Sequence, residues 1–138
     1  LPIGAMLATE EVAAAFQPGS HASTFGGTPL VTAVALEVAR IFSAEKVVEH
    51  CSEVGGYFKN ELLKLKERHD SVVDVRGLGL HLGMELKSEG EPVVNECLER
   101  GFLINCVQGN VLRFVPPLIV QRDDIDPLIG CLDEIFSG

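Results

Sequence analysis

Two places in the chain carry residues whose types and spacing could do chemistry. In His21-Ala22-Ser23-Thr24-Phe25-Gly26-Gly27-Thr28-Pro29, two hydroxyls stand beside a glycine pair at a helix start: Thr28 is a capping residue and Pro29 suits a first helical position. Unpaired backbone N–H groups and the positive dipole end at such a mouth favour a phosphate. Many helices start this way without a ligand, so a plain structural cap is the commoner use of the pattern. The second place is Arg113, flanked by Leu112 and Phe114 and sharing a strand face with Val111 and Val115. Its guanidinium either leans along its stem into water or holds a buried anion, and its planar two-donor fork suits a carboxylate. The alternation alone leaves both readings open.

Other chemistry-bearing patterns are weaker. Arg76-Gly77-Leu78-Gly79-Leu80-His81-Leu82-Gly83 has the spacing GxGxxxG and is followed by a strand pattern. With no helix N-terminus to meet a pyrophosphate, dinucleotide binding is rejected, and glycines that let strands approach closely explain the run. Cys51, Cys97, Cys106 and Cys131 are widely spaced with no CxxC and read as reduced core cysteines. His21, His50, His69 and His81 show no metal-ligand spacing, so no metal is expected.

The elements that must position these residues can be read from periodicity. Residues 3–8 are short and apolar and predict a strand, followed by a helix starting at Thr9 with Glu10 and Glu11 in its first turn. Pro29 to about Phe42 is apolar nearly all round, a helix that needs more partner mass than a chain of this size offers. Ser43 is the expected cap of a longer helix on which Val47, Cys51, Val54, Phe58, Leu62 and Leu65 form one stripe. Gly55-Gly56 inside it predicts a close helix contact or a bend. Strand alternation follows through Val72–Val75 and Leu80, Leu82, Met84 and Leu86. A short helix over 92–100 ends at Gly101. Strands at 102–107 and 111–115 turn through Gln108-Gly109-Asn110. A last helix over about 123–136, capped by Asp123 or Asp124, holds Pro127 in its first turn. The order gives an α+β fold, a small sheet with helices on one face.

A length of 138 residues with 46% hydrophobic residues supports an ordered core, and a net charge of −9 with scattered basic residues makes nucleic acid and anionic membranes poor partners. No apolar run approaches a spanning helix and no signal segment opens the chain, so a cytoplasmic protein is expected.

Leu1-Pro2-Ile3-Gly4-Ala5-Met6, the HASTFGGTP run and Leu112-Arg113-Phe114-Val115-Pro116-Pro117-Leu118 together resemble the last third of a class III (subgroup II) pyridoxal-phosphate aminotransferase. The resemblance covers essentially the whole chain and implies a fold-type I transferase. Residues 1–43 would be the end of its large cofactor domain, and 44–138 the linking helix and small C-terminal domain. It implies pyridoxal 5'-phosphate as cofactor and a homodimer in which Thr24 binds the cofactor phosphate of the neighbouring subunit. Ser23 would lie at the substrate there, and Arg113 would grip a substrate carboxylate. The complete protein would move an amino group between N-acetylornithine and 2-oxoglutarate, in arginine biosynthesis. Relatives acting on ornithine or 4-aminobutyrate, and a stand-alone non-catalytic α+β module, are the alternatives. The family's lysine for the cofactor aldehyde lies just before the segment matching Leu1. No catalytic residue is therefore expected in this chain, which also opens without an initiator Met and reads as an inactive fragment. The family usually has Asn where this sequence has Thr28, and a capping side chain is kept.

Overall fold

A computed structural model describes residues 1–138, which form two compact units, Leu1–Glu45 and Lys46–Gly138. In the first unit, residues 1–9 are irregular, a single turn of helix α1 spans Glu10–Ala13, and helix α2 spans Pro29–Ala44. The strand predicted over residues 3–8 is absent. A strand exists only where a neighbour takes up its backbone groups, and no other segment of this unit is extended and paired. None of residues 1–45 is buried, and Leu30 and Leu36 of α2 are 68% and 55% exposed. The all-round apolar character read from the sequence is thus an uncovered surface in this unit.

Ser43, the expected cap of the next helix, lies inside α2 and donates its hydroxyl to the carbonyl of Ala39 at 3.3 Å. The cap position belongs to Lys46, whose left-handed backbone (φ 51°) separates α2 from helix α3 at Val47–Arg68. A serine already satisfied by the carbonyl four residues back has no reason to leave the helix.

The second unit is built on α3 and a four-stranded antiparallel sheet: β1 (Val72–Leu78), β2 (His81–Leu86), β3 (Asn105–Val107) and β4 (Val111–Phe114), in the order β1-β2-β4-β3. Helix α4 (Glu91–Glu99) enters β3, and helix α5 (Arg122–Ser137) closes the chain. Alternation decides which face is covered. Leu82, Met84, Leu86, Leu112 and Phe114 meet Phe58, Leu62 and Leu65 of α3 and Leu132 of α5, all 2% exposed or less. Each such side chain contributes about 1.5–3 kcal/mol of burial, which explains why this unit holds together and the first buries nothing. The Phe58 and Phe114 rings meet edge to face, 5.3 Å apart. The fold is α+β, with helices on one sheet face, as the element order implied.

Gly55 resolves the glycine pair of α3 as a close contact with the β1–β2 turn, beside Gly79. The predicted strand from 102 begins only at Asn105. Its partner β4 ends at Phe114, shortly before Pro116, which has no N–H to continue the ladder. Between them, Gln108 and Gly109 both take positive φ, and Asn110 donates to the Leu86 carbonyl at 2.9 Å. Helix α5 starts one residue early: Gln121 is its cap, and Asp124 accepts the Gln121 N–H at 2.9 Å. That puts Pro127 beyond the first turn, where it removes one ladder bond. The helix continues through it because Ile125, Leu128 and Leu132 are held in the core. No helix is long and apolar enough to cross a membrane.

Candidate functional site

The loop before α2 lies in the first unit. Ser23 turns its hydroxyl inward and accepts the Gly26 N–H at 2.9 Å. A Cβ on Gly26 would come within 2.7 Å of that oxygen, and Gly27 has φ +72°, so both glycines are required by the turn. Thr24 is exposed, and its hydroxyl makes no hydrogen bond within the chain. Thr28 occupies the cap position with extended backbone, but its side chain makes no capping bond, a departure from the expected cap. The first-turn N–H groups of α2 therefore receive no side-chain cap. Pro2, Ile3 and Gly4 line one hollow with His21, Ser23 and Gly27, so the chain start and this loop share a surface.

These donors fit one side of a phosphate: a free hydroxyl, open amides and a helix dipole. They do not fit all of it. Residues 1–39 contain no lysine or arginine, so cationic neutralisation of the phosphate has to come from residues outside this loop.

Arg113 lies in the second unit, on the sheet face turned away from the helices. Across the strands it is in register with Gly83 of β2 on one side and Asn105 of β3 on the other. Gly83 in turn opposes Arg76 of β1, so the row reads Arg76, Gly83, Arg113, Asn105. Arg76 is neutralised by Asp74 at 3.1 Å and Glu85 at 2.7 Å; its hydrogen bonds to Glu85 and then Asp74 hold the guanidinium firmly charged, and the hydrogen bond from Arg76 holds the Asp74 carboxyl below its ordinary value. Gly83 carries no side chain to bring a charge to Arg113. Arg113 donates its Nε–H to Asn105 Oδ1 at 3.1 Å and meets no carboxylate. The other five arginines are all ion-paired: Arg40, Arg68, Arg76, Arg100 and Arg122. Arg113 borders two hollows: an open one on its own sheet face, shared with Arg76, His81, Gly83 and Gln108, and a largely apolar one of about 350 Å³ at the end of β4, which Phe58, Phe114, Pro117 and Leu128 also line. A free guanidinium at the edge of an apolar pocket is the arrangement that binds a carboxylate carried on an aliphatic chain.

Asn105 was not singled out by sequence reasoning. The signal was available, because a three-residue turn at 108–110 puts residue 105 opposite residue 113. The cysteines are elsewhere: Cys97 and Cys131 are buried, Cys51 and Cys106 half-buried, and all are free. Burial, and then the neighbouring Cys131, push the Cys97 thiol far above its ordinary range, so it is not a thiolate nucleophile. His69 is half-buried and bonded through Nε2 to Asp133 Oδ1 at 2.6 Å, while Arg68 donates to the other oxygen at 2.6 Å. This cluster ties the end of α3 to α5.

The family model Aminotransferase class-III matches residues 1–136. Over 99% of the chain, it is 50% identical to an acetylornithine aminotransferase of Aquifex aeolicus and 45% identical to one of Methanocaldococcus jannaschii. It is 39% identical to an ornithine aminotransferase of Staphylococcus carnosus over the same share. In each case it spans 34% of the relative's length, about a third. The crystal structure of acetylornithine aminotransferase from Elizabethkingia anophelis superimposes on 95% of the chain with a TM-score of 0.82 at 29% identity, using 36% of that chain.

Proposed function

From the premise that the chain belongs to the class-III aminotransferases, whose cofactor is pyridoxal phosphate, we propose that the complete protein transfers an amino group between N-acetylornithine and 2-oxoglutarate in the cytoplasm. The observation that carries the reading onto this chain's own residues is Arg113, the one guanidinium left without an acid, set beside an apolar pocket. Both substrates are carboxylates on short aliphatic chains, and Arg113 Nη1 and Nη2 are free to hold such a group by two parallel hydrogen bonds.

The residues divide the work. Arg113 binds and orients the substrate carboxylate, and Phe58, Phe114 and Leu128 exclude water from the chain that follows it. Thr24 donates its free hydroxyl to a phosphate oxygen of the cofactor held by a second subunit of a homodimer, and Ser23 shapes the loop at the substrate side of that site. Pyridoxal phosphate supplies the electron sink that lets the amino-bearing carbon lose a proton. The lysine for its aldehyde is proposed to lie outside these residues, so that this segment alone is inactive. Among its five lysines, Lys59 is held by the Gly77 carbonyl at 3.1 Å, Lys64 by Glu61 at 2.6 Å and Lys66 by Asp74 at 3.7 Å.

Initial-rate assays of the complete protein with 2-oxoglutarate and each of N-acetylornithine, ornithine and 4-aminobutyrate test the proposal. The highest kcat/KM is expected with N-acetylornithine. A higher value with ornithine supports the second reading, an ornithine aminotransferase, which the 39% identity to the Staphylococcus carnosus protein favours. Absence of turnover with every donor overturns both.

A further inference from the structure

Arg113 has two ways to grip a carboxylate. It can present Nε and one Nη from its side, or Nη1 and Nη2 from its end. The single Nε–H is already donated to Asn105 Oδ1 at 3.1 Å. Asn105 is paired with Arg113 in the β3–β4 ladder, so the acceptor is fixed by backbone register rather than by a mobile loop. On the opposite flank Gly83 offers no side chain that could hold the guanidinium instead. Both Asn105 and Arg113 line the apolar pocket.

We propose that Asn105 is a positioning residue for the aminotransferase reaction: by occupying Nε it fixes the plane of Arg113 and leaves only the terminal Nη1/Nη2 edge for the substrate carboxylate. This rests on the reading of Arg113 as the carboxylate-binding residue. A neutral amide suits the role. It accepts the Nε–H without cancelling the charge, whereas an acid at this position would pair with Arg113 and compete with the substrate, as Asp74 and Glu85 do at Arg76. Freed from Asn105, the guanidinium rotates about its last bonds and samples orientations that miss the carboxylate, a loss of preorganisation felt in binding.

The experiment uses the complete protein with Asn105→Ala and Asn105→Asp, and reads KM and kcat together with inhibition by glutarate, a dicarboxylate with no reacting carbonyl. For Asn105→Ala, KM and the glutarate Ki are expected to rise together on the order of tenfold while kcat changes less than twofold, the size of one hydrogen bond to a charged group. Asn105→Asp, nearly isosteric, is expected to be worse than Asn105→Ala on both, with a fold and thermal stability close to wild type. A purely structural role predicts the reverse order, because the isostere would be the milder change. Constants for Asn105→Ala within twofold of wild type, or Asn105→Asp binding glutarate as well as wild type, overturn the positioning role and leave the aminotransferase reading intact. A wild-type protein that turns over no amino donor overturns the reading and this inference with it.

Discussion

A Cβ on Gly55 would lie 2.2 Å from the carbonyl oxygen of Gly79, so the backbone of α3 touches the backbone of the β1–β2 turn with no room for a side chain. Gly56, one residue on, has nothing within 4 Å. The two glycines of one dipeptide therefore have opposite consequences. Gly55→Ala is expected to destabilise the protein by about 2–3 kcal/mol or more, because backbone rather than a flexible side chain must yield. Gly56→Ala is expected to stabilise it by roughly 0.5–1 kcal/mol through helix propensity. Urea midpoints of the two variants check this, and equal effects would refute the contact.

Acid stability follows from Asp133. The hydrogen bond from His69, then the charge and hydrogen bond of Arg68, hold its carboxyl below the ordinary value of 3.8. A depressed folded pKa means that the contribution is complete above the unfolded value and is lost as pH falls through the folded one. Asp133→Asn should lower the melting temperature at pH 7, and its deficit should shrink as the pH is taken below about 4, near the ordinary aspartate value. A deficit independent of pH would place the effect in packing rather than in charge.

Proteolysis should separate the two units of the 138-residue chain. Phe16 and Phe25 are 50% and 83% exposed, and nothing in residues 1–45 is buried. Chymotrypsin is expected to cut at these positions first and to leave residues 46–138 intact. Amide protection extending evenly from residue 3 would contradict this.

In the complete protein, Arg113→Lys is expected to raise KM for amino- and oxo-acid substrates while cofactor affinity stays near wild type. Lysine keeps the charge but loses the fork, and weakening one partner of a desolvated charge pair costs about 2–5 kcal/mol. Unchanged kinetics for Arg113→Ala would return this residue to an ordinary sheet arginine.

Thr24→Val keeps the shape and deletes the free hydroxyl. Pyridoxal phosphate should bind less tightly by about 1.5–3 kcal/mol, the range for a hydrogen bond to a charged group. Mixing subunits carrying Thr24→Val with subunits lacking the cofactor-binding lysine tests action across a dimer. The hybrid site that combines an intact lysine with the partner's intact Thr24 should bind cofactor like wild type. If every lysine-bearing site stays impaired, the hydroxyl acts within its own subunit.

Local periodicity was enough to read α2, α3, α4 and the buried stripe of α5, and the alternation of Leu80, Leu82, Met84 and Leu86 identified the covered face of β2. Those features depend on spacings of two or of three to four residues, which a sequence displays directly. The same kind of spacing overreached at residues 3–8, because an apolar run becomes a strand only when another segment pairs with it. It misplaced the cap at Ser43 and the position of Pro127 in α5, where the outcome turned on single hydrogen bonds at helix ends.

The site divides along the same line. Residue type alone marked Thr24 and Arg113, because a hydroxyl beside glycines at a helix mouth and an arginine among apolar strand residues are visible in the sequence. Whether Arg113 is free or ion-paired was left open by the sequence, since carboxylates outnumber basic side chains and any of them could have reached it. Strand pairing decided it. The ladders set Gly83 on one side of Arg113 and Asn105 on the other, while Asp74 of β1 and Glu85 of β2 are taken by Arg76. A guanidinium's partners are its neighbours across strands far apart in the chain, and only the tertiary structure brings those neighbours together.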